Sequence, residues 1–293
     1  MNVAIAGGTG FIGTALVRRL LERGDQVLVI SRNPANVRDG RGIGWDAAEE
    51  IAAADAVINL AGENVGGGWW TAARKRRIME SRAHATTVLV DAIRRRPAPG
   101  RAFISASAVG YYGDRGGEIL DETASAGDGF LAGVTRRWEE LARNAGEAAR
   151  VVILRFGVVL GVDGGALAKM LLPFRLGFGG PIGSGRQWMS WVDREDAVRA
   201  IEWVVDHHAA RGVYNVTAPE PVTNREFTKA LGRVLHRPAV IPVPGFALRA
   251  ALGQMAEEML LGGQRVIPGR ATAEGFVFAY PTLEASLRHV LRR

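Results

Sequence analysis

Residues 3–13 read Val3-Ala4-Ile5-Ala6-Gly7-Gly8-Thr9-Gly10-Phe11-Ile12-Gly13. A short apolar run ends in a glycine cluster, and a helical spacing of apolar side chains (Ala15, Leu16, Val17, Leu20, Leu21) follows at once. Strand, tight turn, helix is the local shape that grips a dinucleotide. The turn must reverse sharply and let a diphosphate approach the main chain, which glycine allows. The free N–H groups at the start of the new helix then meet the phosphates. The spacing is Gly7-x-x-Gly10-x-x-Gly13 rather than G-x-G-x-x-G. Glycine triplets alone say little. Placed between a strand and a helix, this one marks Gly7, Thr9, Gly10, Phe11, Ile12 and Gly13 as a cofactor loop.

The pattern continues outward from that stretch. Gln26–Ile30 reads as a buried second strand, and Ser31-Arg32 stand at its end, where a binder of NAD usually carries an acid for the ribose 2′-hydroxyl. A guanidinium fork there suits a 2′-phosphate, so the cofactor expected is NADP(H) in preference to NAD(H). Residues 43–46 (Ile-Gly-Trp-Asp) are placed near the adenine. Residues 55–62 form a further strand whose exit, Asn59-Leu60-Ala61-Gly62, is built of small residues that leave room for a ligand. A long helical pattern over 71–95 stops before Pro97 and Pro99. Ala102–Ser107 is the next strand. It empties into residues 108–113, where the hydroxyls of Ser107, Tyr111 and Tyr112 gather after Ser105. A polar loop over 114–128, a helix over 130–144 and a buried strand over 151–156 follow. Strands alternating with helices predict an α/β fold with a Rossmann-type, doubly wound parallel sheet, and right-handed crossovers put every one of these loops on one rim.

The character changes after Gly161. A helix over 167–174 leads into a glycine-dense stretch (177–185), then Trp188-Met189-Ser190-Trp191, an amphipathic helix to about 206, a return strand at 212–216, a helix at 224–235 capped by Thr223 or Asn224, and a Met- and Leu-rich end. The expected organisation is an NADP-binding domain over 1–161, to which 190–217 return. A smaller α+β substrate domain takes 162–189 and 218–293.

Composition narrows the function. The chain has 293 residues, no cysteine and a net charge of +7, and only three of its 37 basic residues are lysine (Lys75, Lys169, Lys229). Disulfides, thiolate metal sites and cysteine nucleophiles are excluded, and no metal is expected. No apolar run reaches membrane-span length, and the N-terminus reads as a core strand rather than a secretory signal, which predicts a cytoplasmic protein. The arginines are spread along the chain without interleaved aromatics, which argues against nucleic acid as a partner. A monomer or homodimer acting on an unidentified small molecule is expected.

Together these residues resemble the short-chain dehydrogenase/reductase superfamily, extended type. More narrowly, the chain resembles the uncharacterised NAD-dependent epimerase/dehydratase-like "epimerase family" branch that ends in a distinctive small C-terminal domain, sometimes labelled a cell-division inhibitor. The stretches that carry the resemblance are 7–13, 59–64, Trp70 with the helix through Ser81-Arg82, 105–113, 154–160, 179–188, 215–222 and Gly275-Phe276. It implies a Rossmann-type domain bearing a smaller substrate domain.

The superfamily's proton-transfer set is Tyr-x-x-x-Lys with an upstream serine or threonine. Ser107 matches the serine, with Ser105 second, but Phe130–Ala132 and Val134-Thr135 stand where the tyrosine and lysine belong. Tyr112, Tyr214 and Tyr280 have Gly116, Ala218 and Glu284 four residues on; Tyr111 alone has a base, Arg115. A phenol needs a neighbouring cation to work near neutral pH. The expectation is therefore an NADP(H)-dependent oxidoreductase or nucleotide-sugar-epimerase-like protein with a rearranged set: Ser107, Tyr111 and Tyr112 for catalysis, and Glu63, Lys169, Arg186 and Trp188, with Asp193 nearby, for substrate. The alternative is a catalytically inactive NADP(H) sensor acting through a protein partner.

Overall fold

The computed structural model describes residues 1–292. Seven strands form one sheet: β1 (Asn2–Ala6), β2 (Gln26–Ile30), β3 (Arg41–Ile43), β4 (Ala56–Asn59), β5 (Ala102–Ala108), β6 (Arg150–Phe156) and β7 (Gly212–Val216). Their order is β7-β6-β5-β4-β1-β2-β3 and every neighbouring pair is parallel. This is the Rossmann order, with its reversal point between β1 and β4.

The alternation of the strands explains the two layers that cover them. Val3 and Ile5 of β1 face α1 (Phe11–Glu22) and, beyond it, the helix Arg194–Asp206. Ala4 and Ala6 face the other way, toward α2 (Ala48–Ala53) and α3 (Ala72–Arg95), and α4 (Phe130–Arg143) completes that face. With both faces buried, β1 has no polar side to show, which is why it reads as a continuous apolar run. Each large apolar side chain so buried is worth roughly 1.5–3 kcal/mol.

A second core lies beyond the sheet's carboxyl rim. Leu167, Leu171 and Phe174 of the helix Gly165–Arg175 pack with Trp191, Phe227 and Leu231 and with Leu283 and Leu287 of the helix Leu283–Leu291. The helix Asn224–Leu235 starts on a complete capping box: Thr223 accepts from the Glu226 amide, and the Glu226 carboxylate accepts from the Thr223 amide at 2.7 Å.

The C-terminal stretch is less regular than its composition suggests. A single π-helical segment at Glu257–Leu261 and a two-residue strand, Arg265–Val266, interrupt it, and that strand pairs in parallel with Ile119–Leu120 inside the polar loop after β5. The same stretch reaches the main sheet domain at three further points. The Glu258 carboxylate accepts the Phe130 and Leu131 amides at the start of α4 (2.9 and 2.8 Å). Ser190 donates to the Gln264 carbonyl (2.8 Å). Asp196 accepts the amides of Ala279 and Tyr280. Among the described residues no helix is long and apolar enough to cross a membrane.

Candidate cofactor and active site

The loops after β1, β2 and β4 enclose a cleft of about 690 Å³ at the reversal point of the sheet. Its floor is the glycine loop. Gly7 has a φ of +82°, and a Cβ there would stand 2.7 Å from the Leu60 carbonyl carbon. Gly13 lies under the turn, where a Cβ would meet the Gly7 carbonyl oxygen at 2.1 Å. The turn is closed by the Gly10 amide donating to that same oxygen at 3.0 Å. Helix α1 then begins at Phe11, with Gly10 at the cap position, no side-chain cap and no acid in its first turn. Its first N–H groups are therefore left for a ligand anion.

The sequence-predicted cofactor residues divide into two groups. Gly7, Thr9, Gly10, Ser31, Arg32, Leu60, Ala61 and Gly62 line the cleft. Gly13 and Asn59 are buried just behind it. Asn59 accepts the Ala61 amide (3.2 Å) and donates to Thr86 (3.0 Å), which fixes the turn after β4. Phe11 and Ile12 turn away. Phe11 packs on the glycines of the next loop, 2.7 Å from where a Gly161 Cβ would be, with the Arg194 guanidinium 5.1 Å from its ring centre. Arg32 is exposed at the cleft edge and makes no ion pair among the described residues. Trp45 lines the far wall opposite His84, their ring centres 6.2 Å apart. The residue tests for a dinucleotide are thus met by a cradle that a Cβ would fill, unpaired helix N–H groups and an uncommitted guanidinium. Asn33, Asn36, Ser81 and His84 complete the lining; nothing in their local sequence marks them, because they reach the cleft only through the fold.

The hydroxyls after β5 form a buried polar chain rather than an open cluster. Ser107 donates to Glu139 (2.8 Å), and Glu139, itself 1% exposed, takes two bonds from the Arg155 guanidinium (2.7 and 2.9 Å) and one from Arg143 (2.9 Å). Arg155 also donates to the Tyr112 hydroxyl (2.9 Å), and that hydroxyl reaches the Asn215 side-chain oxygen (2.8 Å) and the Asp121 carbonyl (2.9 Å). Burial works against the Arg155 charge, but the bonds and the field of Glu139 more than offset it and raise its pKa. Burial also pushes the Tyr112 phenol above its ordinary value, against the opposing pull of Arg155. Tyr112 is fully enclosed. Tyr111 differs: it is half-buried, its ring lies on the Arg155 guanidinium at 3.4 Å, and its hydroxyl bonds to none of the described residues.

Phe130 and Val134 occupy consecutive turns of α4. Phe130 packs edge-on to Trp70 (4.9 Å) beneath the Lys75 ammonium (5.4 Å). The expected substrate residues fall in two places. Glu63, on the cleft wall, pairs with Arg74 (2.6 Å), and Lys169 bonds the Gly66 carbonyl of the same loop. Trp188 lies under the Arg265 guanidinium (4.3 Å), and Arg186 is exposed nearby. Asp193 is fully buried, accepting the Glu195 amide and the Ser286 hydroxyl with His289 beside it. Among the described residues no cluster of three or more His, Cys, Asp or Glu could hold a metal.

A Rossmann sheet, a glycine cradle at its reversal point and a second core beyond the rim define a protein of the extended short-chain dehydrogenase/reductase type. The chain belongs to the NAD-dependent epimerase/dehydratase family, which it matches over residues 3–217; residues 243–290 match the domain of unknown function DUF1731. It is 41% identical to the "Epimerase family protein SDR39U1" of Bos taurus, over 99% of this chain and all of that one. It is 41% identical to the epimerase family protein ML0860 of Mycobacterium leprae over 99% of this chain and 96% of that one. Its structure is similar to the crystal structure of human epimerase family protein SDR39U1 with NADPH (TM-score 0.92, 39% identity, 100% of both chains).

Proposed function

We propose that the chain is an NADP(H)-binding oxidoreductase, or an epimerase built on the same chemistry, acting on a small molecule. The observation that carries the reading is Arg32: a guanidinium without a protein partner at the end of β2, in the cleft, where no acid stands to receive a ribose 2′-hydroxyl. The similar human protein, crystallised with NADPH, supports it. Bound nicotinamide supplies hydride transfer; the glycine loop and α1 hold the diphosphate, and Arg32 with Ser31 selects the 2′-phosphate. Calorimetric titration tests this. NADPH will bind more tightly than NADH, and Arg32→Ala will weaken NADPH by roughly tenfold to a hundredfold, the worth of a charge-assisted contact, while leaving NADH unchanged. Equal affinities for the two cofactors in both proteins would overturn the preference.

For the proton we assign Tyr111 rather than Tyr112 or Ser107. Only Tyr111 keeps a phenol clear of the buried chain, with its ring held on the Arg155 guanidinium at 3.4 Å and its hydroxyl free of protein partners among the described residues. Tyr112 and Ser107 hold the loop in place. Once a turnover is found in a panel of carbonyl compounds and nucleotide sugars, Tyr111→Phe will lose at least about a hundredfold in kcat, within the usual reach of acid–base catalysis, with NADPH binding unchanged. Retained turnover removes Tyr111 from the mechanism.

One observation favours the sensing alternative: Phe130 and Val134 stand on α4 where the superfamily pair belongs. NADPH binding without turnover across that panel is its signature. The spread of charge along the chain supports the absence of a nucleic-acid partner, and a cytoplasmic monomer or homodimer completes the proposal.

A further inference from the structure

Four buried or half-buried arginines carry no carboxylate bond among the described residues: Arg82, Arg101, Arg150 and Arg265, the last stacked on Trp188. Two of them have a structural reason. Arg150 donates to the carbonyls of Val205 and Ala210 at the C-terminal end of the helix Arg194–Asp206. Arg101 donates to Ala52 at the end of α2 and to Arg96 at the end of α3. Each guanidinium closes the negative end of a helix, a favourable seat for a cation. Both stand at the starts of β5 and β6, at the edge of the sheet opposite the cleft.

Arg82 has no such reason. It lies in the middle of α3, on the carboxyl rim of the sheet, and its Nη1 donates to the carbonyls of Glu63 (3.0 Å) and Ile78 (3.1 Å), neither of them a helix end. Burial holds its pKa down at about 10, with the field of Glu63 only partly opposing. The Glu63 carboxylate is itself committed to Arg74. The Nε and Nη2 donors of Arg82 have no protein partner and reach solvent. The guanidinium lies 4.9 Å from the centre of the Trp138 ring, and the Trp138 indole N–H is buried without a partner. It also lies directly behind Gly62, where a Cβ would stand 2.9 Å from its central carbon, and Gly62 and the neighbouring Ser81 line the cleft. A half-buried cation with no carboxylate bonded to it, and with two donors left open, is retained where the counter-charge arrives with a ligand.

We propose that Arg82 is an anion-binding residue: its guanidinium, behind Gly62 at the exit of β4, receives a carboxylate or phosphate oxygen of a ligand seated at the inner end of the cleft. The two sources of that oxygen are the distal phosphate of the dinucleotide and an acid group of the substrate. The assignment rests on the cofactor reading of the cleft for the position of the ligand, and on the arginine's own surroundings for its charge.

The test titrates wild-type, Arg82→Gln and Arg82→Lys protein by calorimetry with NADPH, with adenosine 2′,5′-bisphosphate and with oxalate, the last in the presence and absence of NADP⁺. Glutamine keeps donors for the two carbonyls, and lysine keeps the charge. Loss of a charge-assisted bond predicts a fall of about tenfold or more for Arg82→Gln, partly restored in Arg82→Lys. If NADPH weakens while adenosine 2′,5′-bisphosphate, which ends at the first phosphate, does not, the oxygen is the cofactor's. If NADPH is unchanged but oxalate binding falls, the oxygen is the substrate's. The indole beside the guanidinium gives an independent readout: oxalate will shift tryptophan emission in wild-type protein, and by clearly less in Trp138→Phe. Unchanged affinities for all three probes in folded Arg82→Gln protein overturn the proposal. Wild-type protein that binds no NADPH refutes the cofactor reading, and the oxalate titration without NADP⁺ still decides Arg82.

Discussion

Glu139→Ala will destabilise the protein by roughly 3–5 kcal/mol, the usual cost of stranding a buried charge, measured as a lowered urea midpoint with an unchanged slope. The size follows from what the carboxylate holds. It is buried and receives bonds from Arg155, Arg143 and Ser107. Without it Arg155, 2% exposed, keeps a desolvated charge whose remaining side-chain partner is the Tyr112 hydroxyl. The ion pair itself need not be strongly stabilising: two charges must be stripped of water to make it, and apolar replacement of both partners often costs little. Glu139→Leu with Arg155→Leu will therefore recover a large part of the single variant's loss. A double variant as unstable as Glu139→Ala would show that the bonds themselves, rather than the unpaired charge, set the cost. Tyr111 gives a second reading of the same event. Its ring rests on the Arg155 guanidinium, so displacement of that guanidinium will change Tyr111 accessibility to chemical nitration before the sheet unfolds.

Gly13→Ala will remove most NADPH binding, by about a hundredfold, or ~2.7 kcal/mol. A methyl group at Gly13 meets the carbonyl oxygen of Gly7 at 2.1 Å, and that oxygen cannot move without opening the turn that the Gly10 amide closes. Opening the turn lifts the glycine loop away from the first N–H groups of α1, and these two must act together on the diphosphate. The protein will lose about 1–3 kcal/mol of stability in addition, as overpacked sites do. Gly24→Ala is the control. Its φ is +87° with nothing within 4 Å of a new Cβ, so it meets backbone strain of about 1 kcal/mol and leaves the cleft alone. Equal NADPH affinity in Gly13→Ala and Gly24→Ala would show that the close packing at Gly13 is irrelevant to the cofactor.

What the sequence discloses is what neighbouring residues decide. The glycine loop is legible because strand, turn and helix are contiguous and each residue type has a local reason. The helix Asn224–Leu235 is legible because its cap and its Glu226 lie three residues apart. The parallel sheet follows from alternation, which any stretch of the chain repeats. The polar chain is a different case. Glu139, Arg155, Tyr112 and Asn215 are brought together only when α4, β6, β5 and β7 are stacked. One sign was present in the sequence, a charged residue inside the otherwise apolar strand Val151–Phe156, which signals a buried partner without saying which. Adjacent tyrosines pose a related problem. Residues 109–112 form a single short 3₁₀ turn, and spacing does not reveal which phenol turns inward; the structure encloses Tyr112 and leaves Tyr111 at the edge. The strands Ile119–Leu120 and Arg265–Val266 are two residues long, too short for any periodicity.

Sequence comparison divides the molecule between residues 217 and 243, as though the C-terminal piece were a separable attachment. The hydrogen bonds contradict that division. Glu258 caps α4 across 128 residues of chain, Arg265–Val266 extends a strand of the loop after β5, and Asp196 ties down Ala279 and Tyr280. Helix α4 also carries Glu139, and with it the whole buried chain of charges. Heat or denaturant that frees the last fifty residues would thus also uncap the helix that carries Glu139 at the rim of the sheet. The two pieces are therefore expected to melt as a single cooperative unit in which the smaller part acts as keystone for the larger, and a single calorimetric unfolding transition checks it.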